Sequence, residues 1–471
     1  MFTTILHFEF KQLLRSKITI LFLVVFSVLG LFSYNQGEKL YLQNTAIIDS
    51  LIQKQTQQYL KTQNLYDTIK YPTQGKFKLE EETPYMISYL YQVVCDKKIS
   101  PLSILTIGQN DVHEIAKSGR FGINIFTNSF TEFKNPEQLQ IGNIDVTFFI
   151  IYLFPLLFIS LSYNAKSDDK EMGRYSLLVA QSRNINALYF YRLSSKLIIS
   201  SIPVIIIFFY SLYNMHEISD FSFFSFLKWW AIAMHYIVFW FLFVSLILNL
   251  NFSSLNNAIM MIGLWILFLV AIPGLLNTYL SYKHPNNSKS DIVNFRDVER
   301  SFTNFSFDEH KKNVYTYDSS YIKDSIQHRS DPLIKAGIEQ YSSELKTFEH
   351  EKMLFNNIIQ SAENKLNDEK LAYWINPIGC IYSIFSSIAN TSIKDQQYFE
   401  QSVIDYRFVQ MNYLFNNLLK SSRFTKQDFK NFPKYSNVDR NNDKIESFIP
   451  FIFWLFFILI VLSVIIFNKN E

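Results

Sequence analysis

Six long apolar runs constrain the fold of this chain more than any other feature. A helix that crosses a membrane needs about 20 consecutive, mostly apolar residues. The runs that meet this requirement are Ile18–Tyr34, Val146–Tyr163, Leu197–Asn214, Trp229–Leu250, Ala258–Leu276 and Phe448–Phe467. Charged residues make up only 18% of the sequence, below the share of about a quarter found in soluble domains. The sequence therefore predicts a mainly α-helical, polytopic membrane protein with six transmembrane helices.

Prolines interrupt several apolar stretches. Pro155, Pro203 and Pro273 lie inside predicted spans, and each removes the donor for a carbonyl one turn earlier. Membrane helices tolerate this where neighbouring groups bond the freed carbonyl. A further run, Leu371–Asn390, is broken by Asn376-Pro377 and is too short to cross after the break. We interpret it as a buried or interface-lying helix.

Basic residues in short segments indicate the orientation, because they are enriched on the cytoplasmic side of membrane proteins. They precede the first span, lie between the second and third, and follow the last. The residues concerned are Lys11, Arg15, Lys17, Lys166, Lys170, Arg174, Arg183, Arg192, Lys196 and Lys469. With six spans, both termini and the segment 164–196 face the cytoplasm, and two long segments face outward.

This topology divides the chain into five parts. Residues 1–34 form an amphipathic helix and the first span, residues 35–145 are the first extracytoplasmic insertion, and residues 146–276 hold the second to fifth spans. Residues 277–447 are the second extracytoplasmic insertion, and residues 448–471 are the last span with a short cytoplasmic tail. The expected location is the bacterial inner membrane.

The second insertion contains two apolar stripes at helical spacing. The first comprises Tyr341, Leu345, Phe348, Phe355, Ile359, Ala362 and Leu366; the second comprises Ile404, Phe408, Met411, Phe415 and Leu418. Residues three and four apart share one face of a helix. The stripes predict two helices that pack face to face within a mostly helical outer domain.

Several kinds of chemistry are excluded by absent motifs. The sequence has no GxxxxGK[ST] loop, no HExxH and no GxSxG, so we expect no catalytic residues, no metal and no cofactor in this chain. A net charge of +3 argues against nucleic acid. Cys95 and Cys380 are the two cysteines. They are too few for a disulfide scaffold or a CxxC site, and whether they pair is left open.

His235 is an ionisable residue deep inside a predicted span. Such a residue is by default a functional candidate, and the alternative is a neutral imidazole bonded to a neighbouring helix. Pro155 and Asn164 belong to or directly follow the second span. We treat all three as candidate pathway or interhelical residues.

A charged, amphipathic extension, 168–183, follows the second span. It carries acidic residues near its start, where a helix dipole favours them, and then an apolar ridge flanked by basic residues. In order these are Asp168, Asp169, Glu171, Arg174, Leu177, Leu178 and Arg183. The pattern fits a docking helix that is continuous with the span and acts as a rigid lever. It equally fits an amphipathic helix lying on anionic lipid.

The stretch "SDDKEMGRYSLLVAQSRNINALYFYRLSSK" resembles the coupling helix of ABC-2-type transporter permeases, which touches the ATPase subunit. The matching positions are Glu171, Gly173, Leu177, Leu178 and Lys196, and Arg174 stands where threonine is usual. The resemblance implies that Glu171, Gly173, Arg174, Leu177 and Leu178 couple this chain to an ATPase. ATP and Mg would then be bound by that partner.

Four other stretches look like the large-ectodomain subgroup of these permeases. They are "SPLSILTIGQND" (Ser100–Asp111), "NPEQLQIGNIDVTFFIIYLFPLL" (Asn135–Leu157), "IPGLLNTYLSYKHP" (Ile272–Pro285) and "WINPIGCIYSIFSSIANTSIKDQQYFEQ" (Trp374–Gln401). "HFEFKQLLRSK", His7–Lys17, looks like the family's amphipathic helix on the inner surface. The resemblance implies a second permease copy or a paralogue as partner.

Three functions compete at this stage. The first is a permease subunit that couples ATP hydrolysis to export of a peptide, a lipid-like molecule or a small hydrophobic compound. The alternative is mechanotransmission, in which the outer domains act on an envelope partner and nothing crosses the membrane. The third is a non-transporting anchor or sensor, against which the pattern from Glu171 to Leu178 argues.

Overall fold

The computed structural model describes residues 2–68, 93–119, 144–182, 184–284, 305–317, 332–420, 426–436 and 448–467. These residues are mainly helical, as predicted. The helices before the first long break are α1 (Phe2–Arg15) and α2 (Lys17–Thr68). A two-stranded antiparallel sheet follows, formed by β1 (Val93–Asp96) and β2 (Ala116–Gly119), with Val93 opposite Gly119.

The central helices come next. They are α3 (Val146–Phe148), α4 (Phe154–Ser162), α5 (Ser167–Glu171), α6 (Tyr175–Gln181), α7 (Ile185–Ser200), α8 (Ile202–Met215), α9 (Phe223–Asn249), α10 (Ser254–Ile266) and α11 (Ile272–Lys283). The remaining described helices are α12 (Phe307–Tyr317), α13 (Pro332–Ala372), α14 (Pro377–Ile388), α15 (Ile393–Lys420), α16 (Lys426–Lys430) and α17 (Phe448–Phe467).

All six apolar runs are helical. By length and composition, four helices could cross a membrane: Lys17–Lys61, Val146–Glu171, Phe223–Asn249 and Ser254–Lys283. The pair α7 and α8, bent by 40°, would make a fifth, and Phe448–Val464 is a shorter apolar helix. These helices all belong to the described part of the chain. The number of six spans stays a prediction.

The first span does not end where its apolar run ends. Helix α2 continues without a break for 52 residues, which corresponds to about 78 Å at 1.5 Å per residue. It therefore leads directly from the apolar run into the first predicted insertion. At Gly37 the helix lies so close to residues 101–104 that a Cβ atom would stand 1.9 Å from the carbonyl oxygen of Ile104. Only glycine fits this approach.

The prolines in the second and fifth spans each follow a π-helical turn. The turn Phe149–Leu153 precedes Pro155, and the hydroxyl of Tyr236 donates a hydrogen bond to the Ile151 carbonyl at 2.8 Å. The turn Leu267–Ala271 precedes Pro273, and Asn376 Nδ2 donates to the Phe268 carbonyl at 3.0 Å. Neighbouring elements therefore bond a carbonyl in each of the two turns, as is typical where membrane helices contain proline.

Helix α9 lies at the centre of the largest apolar core. Its Trp229 and Trp240 are fully buried, and Trp229 Nε1 donates a hydrogen bond to Thr106 Oγ1 at 2.8 Å. Residues from the predicted insertions enter the same core, including Ile104 and Cys380. Helix α14 is mostly buried and packs on α9 and α17, which confirms the interpretation of Leu371–Asn390 as a buried helix.

The two apolar stripes of the second insertion pack against each other, as predicted. Tyr341 of α13 stacks on Phe415 of α15 with ring centroids 3.6 Å apart, and Leu345 is 2% exposed. Between the helices, Arg407 forms buried ion pairs with Glu344, at 2.7 Å, and with Glu351. We call α13 and α15 the outer helix pair.

The two cysteines are buried, and each has a reduced thiol outside any disulfide. Cys95 belongs to the apolar cluster that includes residues of the outer helix pair, and Cys380 belongs to the core around α9. They therefore do not form a disulfide, which answers the question that the sequence left open.

Candidate docking site

The extension after the second span is not one continuous helix. It consists of α5 and α6, joined by a turn in which Gly173 has φ +72°. This left-handed conformation ends α5, because the backbone cannot continue the helix through it. The prediction of a rigid helical lever is wrong for this reason. We call residues 167–182 the docking segment; Arg183, which the sequence also assigned to it, lies outside the described residues.

The docking segment turns apolar side chains toward solvent. Leu177 is 58% exposed, and Met172 and Val179 are also exposed, while Leu178 is half-buried. We call Met172, Leu177 and Val179 the apolar ridge. No residue of α6 is buried, so the described part of this chain does not cover the ridge. Gly173 is open as well, with nothing within 4 Å of a Cβ added there.

The charged side chains of the segment are paired within the protein, and of these Asp169 is buried while Lys170, Glu171 and Arg174 are exposed. Asp169 is buried, and its carboxylate accepts hydrogen bonds from Arg192 Nη1 at 2.5 Å and from the Tyr189 hydroxyl at 3.2 Å. Arg192 also pairs with buried Glu9 of α1 at 2.8 Å. Arg174 reaches Asp169 at 3.2 Å. These ion pairs join the docking segment to α7 and to the amphipathic helix α1.

Glu171 lies at the end of α5 rather than near the start of a long helix, which corrects the expected role of its charge. Its Oε1 accepts a hydrogen bond from the Ser254 backbone N–H at 2.6 Å, and its Oε2 accepts one from the Ser254 hydroxyl at 3.0 Å. Ser254 is the first residue of α10. Glu171 therefore caps the start of another helix.

The other predicted residues lie apart from the ridge. Lys196 Nζ donates to the Leu161 carbonyl at 2.8 Å, which ties α7 to α4. The Asn164 carbonyl accepts from the Asp168 N–H at 3.1 Å in the turn before α5. Pro155 is buried at the start of α4. None of the three contributes to the exposed surface of the docking segment.

His235 is exposed on α9 rather than buried between helices. Its Nδ1–H donates to the Ala231 carbonyl of the same helix at 2.7 Å, and its ring lies edge-on to Phe448 with centroids 5.8 Å apart. This hydrogen bond lies within α9 and does not reach a neighbouring helix. The ring contact still places His235 beside α17.

The sequence missed Glu9, Arg192 and Ser254 as partners of the docking segment. Arg192 was considered only as one of the ten basic residues that indicate orientation. Its ion pairs could not be predicted, because partners 23 or more residues apart leave no local pattern in the sequence. Among the described residues, no group of three or more histidine, cysteine, aspartate or glutamate side chains could hold a metal ion.

A family model described as "ABC-2 family transporter protein" matches residues 3–471. Comparison with curated proteins gave no match, and comparison with solved structures gave none either. The match covers nearly the whole chain, including the docking segment and every described helix apart from the first residue of α1.

Proposed function

The chain belongs to the ABC-2 transporter family and is a permease component of an ABC transporter, and from this premise we propose how it couples to its ATPase. A separate cytoplasmic ATPase binds the apolar ridge, and ATP hydrolysis there drives export of a peptide, a lipid-like molecule or a small hydrophobic compound. Two copies of the chain, or this chain with a paralogue, build the transporter in a bacterial inner membrane, with both termini in the cytoplasm.

The observation that carries the proposal is the exposed apolar ridge, beside which the charged side chains are paired within the protein. An amphipathic helix that lies on anionic lipid combines an apolar face with outward basic residues. In the docking segment, Asp169 and Arg174 pair with each other and Asp169 pairs with Arg192, so charges are held within the protein. The neighbouring basic residues are exposed but bonded within the protein, since Lys170 donates to Asn251 and Arg174 pairs with Asp168. An apolar surface of this kind fits a protein partner better than a lipid headgroup layer.

The contacts of the apolar ridge would contribute measurably to the affinity for a partner. Burial of one leucine side chain contributes about 1.5–3 kcal/mol, and each 1.4 kcal/mol changes a dissociation constant about tenfold. Leu177 has more than half of its surface available for burial. The sequence has no phosphate-binding loop, so ATP and Mg belong to the partner, and this chain supplies the contact surface.

A second candidate function is mechanotransmission without transport, and one set of contacts favours it. At the end of α11, Lys283 Nζ lies 2.8 Å and His284 Nε2 lies 2.6 Å from Asp368 Oδ2 of α13. The 41-residue helix α13 is the longer helix of the outer helix pair. A movement of the fifth span would reach the outer residues through this contact, whether or not a cargo crosses.

The proposal is tested by purifying the chain with and without its ATPase. The chain alone should hydrolyse no ATP, and the wild type should copurify with an ATPase subunit. The double substitution Leu177→Asp/Leu178→Asp should lower the amount of captured ATPase at least about tenfold. The two aspartates remove the apolar surface that the partner would bury, and they place charges in the contact. The matched control, Ser176→Asp/Gln181→Asp, adds the same charge to exposed polar positions of α6 and should retain most of the binding.

Unchanged ATPase binding in the leucine double variant would show that the ridge is not the docking surface. ATP hydrolysis by the isolated chain that a point substitution within the chain abolishes would contradict the whole proposal. To separate export from mechanical work, cargo accumulation in vesicles is compared with ATP-dependent movement of the outer helix pair. Movement without accumulation would favour the second candidate.

A further inference from the structure

We infer that Glu171 is a positioning residue that carries a displacement of the docking segment to helix α10 and the fifth span. This inference rests on the proposed function, because it assumes that an ATPase moves the docking segment. Glu171 acts through Ser254, which it holds by two hydrogen bonds, rather than by touching the ATPase.

Ser254 lies at the start of α10, so its contact with Glu171 acts on the end of that helix. Ser253 is the N-cap of α10, and its hydroxyl accepts from the Asn256 N–H. Ser254 follows as the first helical residue, whose N–H has no partner within the helix. The Glu171 carboxylate supplies that partner at 2.6 Å and places a negative charge at the positive end of the helix dipole. A shift of Glu171 therefore pulls on the start of α10 itself.

The contact is one of several between the same two elements. Lys166 Nζ donates to Asn249 Oδ1 at 3.1 Å, and Lys170 Nζ donates to Asn251 Oδ1 at 2.9 Å. The hydroxyl of Ser167 lies 2.8 Å from that of Ser254. Lys166 and Lys170 are four residues apart, and so are Ser167 and Glu171, and residues at this spacing share one face of a helix. This face of α5 is therefore directed at the turn between α9 and α10.

The two helices of the docking segment differ in what their side chains contact. The apolar ridge of α6 is open to a partner, whereas both carboxylate oxygens of Glu171 are engaged by Ser254. A push on α6 reaches α5 across the Gly173 turn and then α10 through Glu171. From α10 the chain continues through the π-helical turn and α11 to His284, which contacts Asp368 of α13. The route ends in the outer helix pair.

The inference is first tested in the isolated chain, where no ATPase is required. Hydrogen exchange of the peptide 254–258 is compared among wild type, Glu171→Ala and Glu171→Gln. Loss of the carboxylate should accelerate exchange about 2- to 30-fold, the range that corresponds to removal of a helix N-cap. Glutamine keeps one acceptor oxygen and should restore most of the protection. Equal exchange in wild type and Glu171→Ala would overturn the inference.

The second test uses the complex with the ATPase. Spin labels are attached to cysteines that replace Gln57 of α2 and Asn357 of α13, both of which are exposed. They report the distance between α2 and α13 with and without ATP. The native cysteines are buried, and burial raises the pKa of the Cys95 thiol, so they resist labelling. The Glu171→Ala variant should capture the ATPase to within about twofold of wild type, but the ATP-dependent change in distance should be lost. The Glu171→Gln variant should retain that change.

Two outcomes would overturn the inference at this stage. If Glu171→Ala and Glu171→Gln both lose the ATPase while Ser254→Ala keeps it, then Glu171 contacts the ATPase directly. If Glu171→Ala keeps the full change in distance, the movement takes another route. A wild-type chain that captures no ATPase would instead contradict the proposed function, and the exchange experiment would still decide whether Glu171 holds α10.

Discussion

The outer helix pair and the docking segment both carry apolar residues at helical spacing, yet they place them in opposite surroundings. Leu345 of the outer helix pair is 2% exposed, and Leu177 of the docking segment is 58% exposed. In the outer helix pair, each apolar stripe is covered by the other helix of the same chain. In the docking segment, the described part of the chain leaves the ridge open, and our proposal assigns this surface to the ATPase.

The ion pairs of the two regions also lie in different places relative to the apolar side chains. In the outer helix pair, Arg407 is buried between the helices, where it pairs with Glu344 and Glu351. In the docking segment, Asp169 and Arg192 attach the segment to the rest of the protein, and the apolar side chains remain outside. The comparison teaches that an amphipathic pattern predicts a helix, but the surrounding contacts decide which face is turned inward.

The largest effect is expected from breaking the buried ion pair of the outer helix pair. Glu351→Ala should lower the free energy of unfolding by about 3–5 kcal/mol, because it leaves the Arg407 guanidinium buried without this partner. Denaturant unfolding monitored with a probe in the outer residues measures the loss. The control Glu349→Ala removes a surface pair with Lys346 and should cost less than about 1 kcal/mol. Equal effects of the two substitutions would contradict this account.

The next largest effect is expected when the same substitution, leucine to alanine, is made in each of the two regions. Leu345→Ala should destabilise the protein by about 2–5 kcal/mol, because it leaves a cavity in a packed core, and should not alter the capture of the ATPase. Leu177→Ala should change the free energy of unfolding by no more than about 0.5 kcal/mol but weaken ATPase binding several-fold. Thermal unfolding and copurification yield are measured on both variants. If Leu177→Ala destabilises as much as Leu345→Ala, the ridge belongs to a core.

The smallest effect concerns the stacked rings in the outer helix pair. Tyr341→Leu removes the ring that stacks on Phe415, and stacking contributes about 0.5–1.5 kcal/mol beyond burial. Tyr341→Phe keeps the ring but loses the hydroxyl, which donates to Asn412 Oδ1 at 2.9 Å. A double-mutant cycle with Phe415→Leu isolates the ring contact from the hydroxyl. A coupling energy near zero would show that stacking adds nothing to burial here.

Much of the fold follows from the sequence, because its signals are local. The apolar runs, the stripes of the outer helix pair and the break at Asn376-Pro377 all predicted helices that the structure contains. The continuous helix through the docking segment was wrong, because Gly173 adopts a positive φ that periodicity does not show. The partner of Glu171 could not be predicted either, because Ser254 lies 83 residues further along the chain.

The sequence by itself determined that this chain is a helical membrane protein without a phosphate-binding loop, and it pointed to the segment that we propose as the docking site. Hydrophobic length and periodicity are sufficient for this, since they fix which residues avoid water and which become helical. Only the tertiary structure decided that Asp169 faces inward, that Glu171 holds Ser254 and that Leu177 remains exposed. Those outcomes depend on which distant groups meet after packing, and a linear pattern does not encode which face of a helix another element will cover.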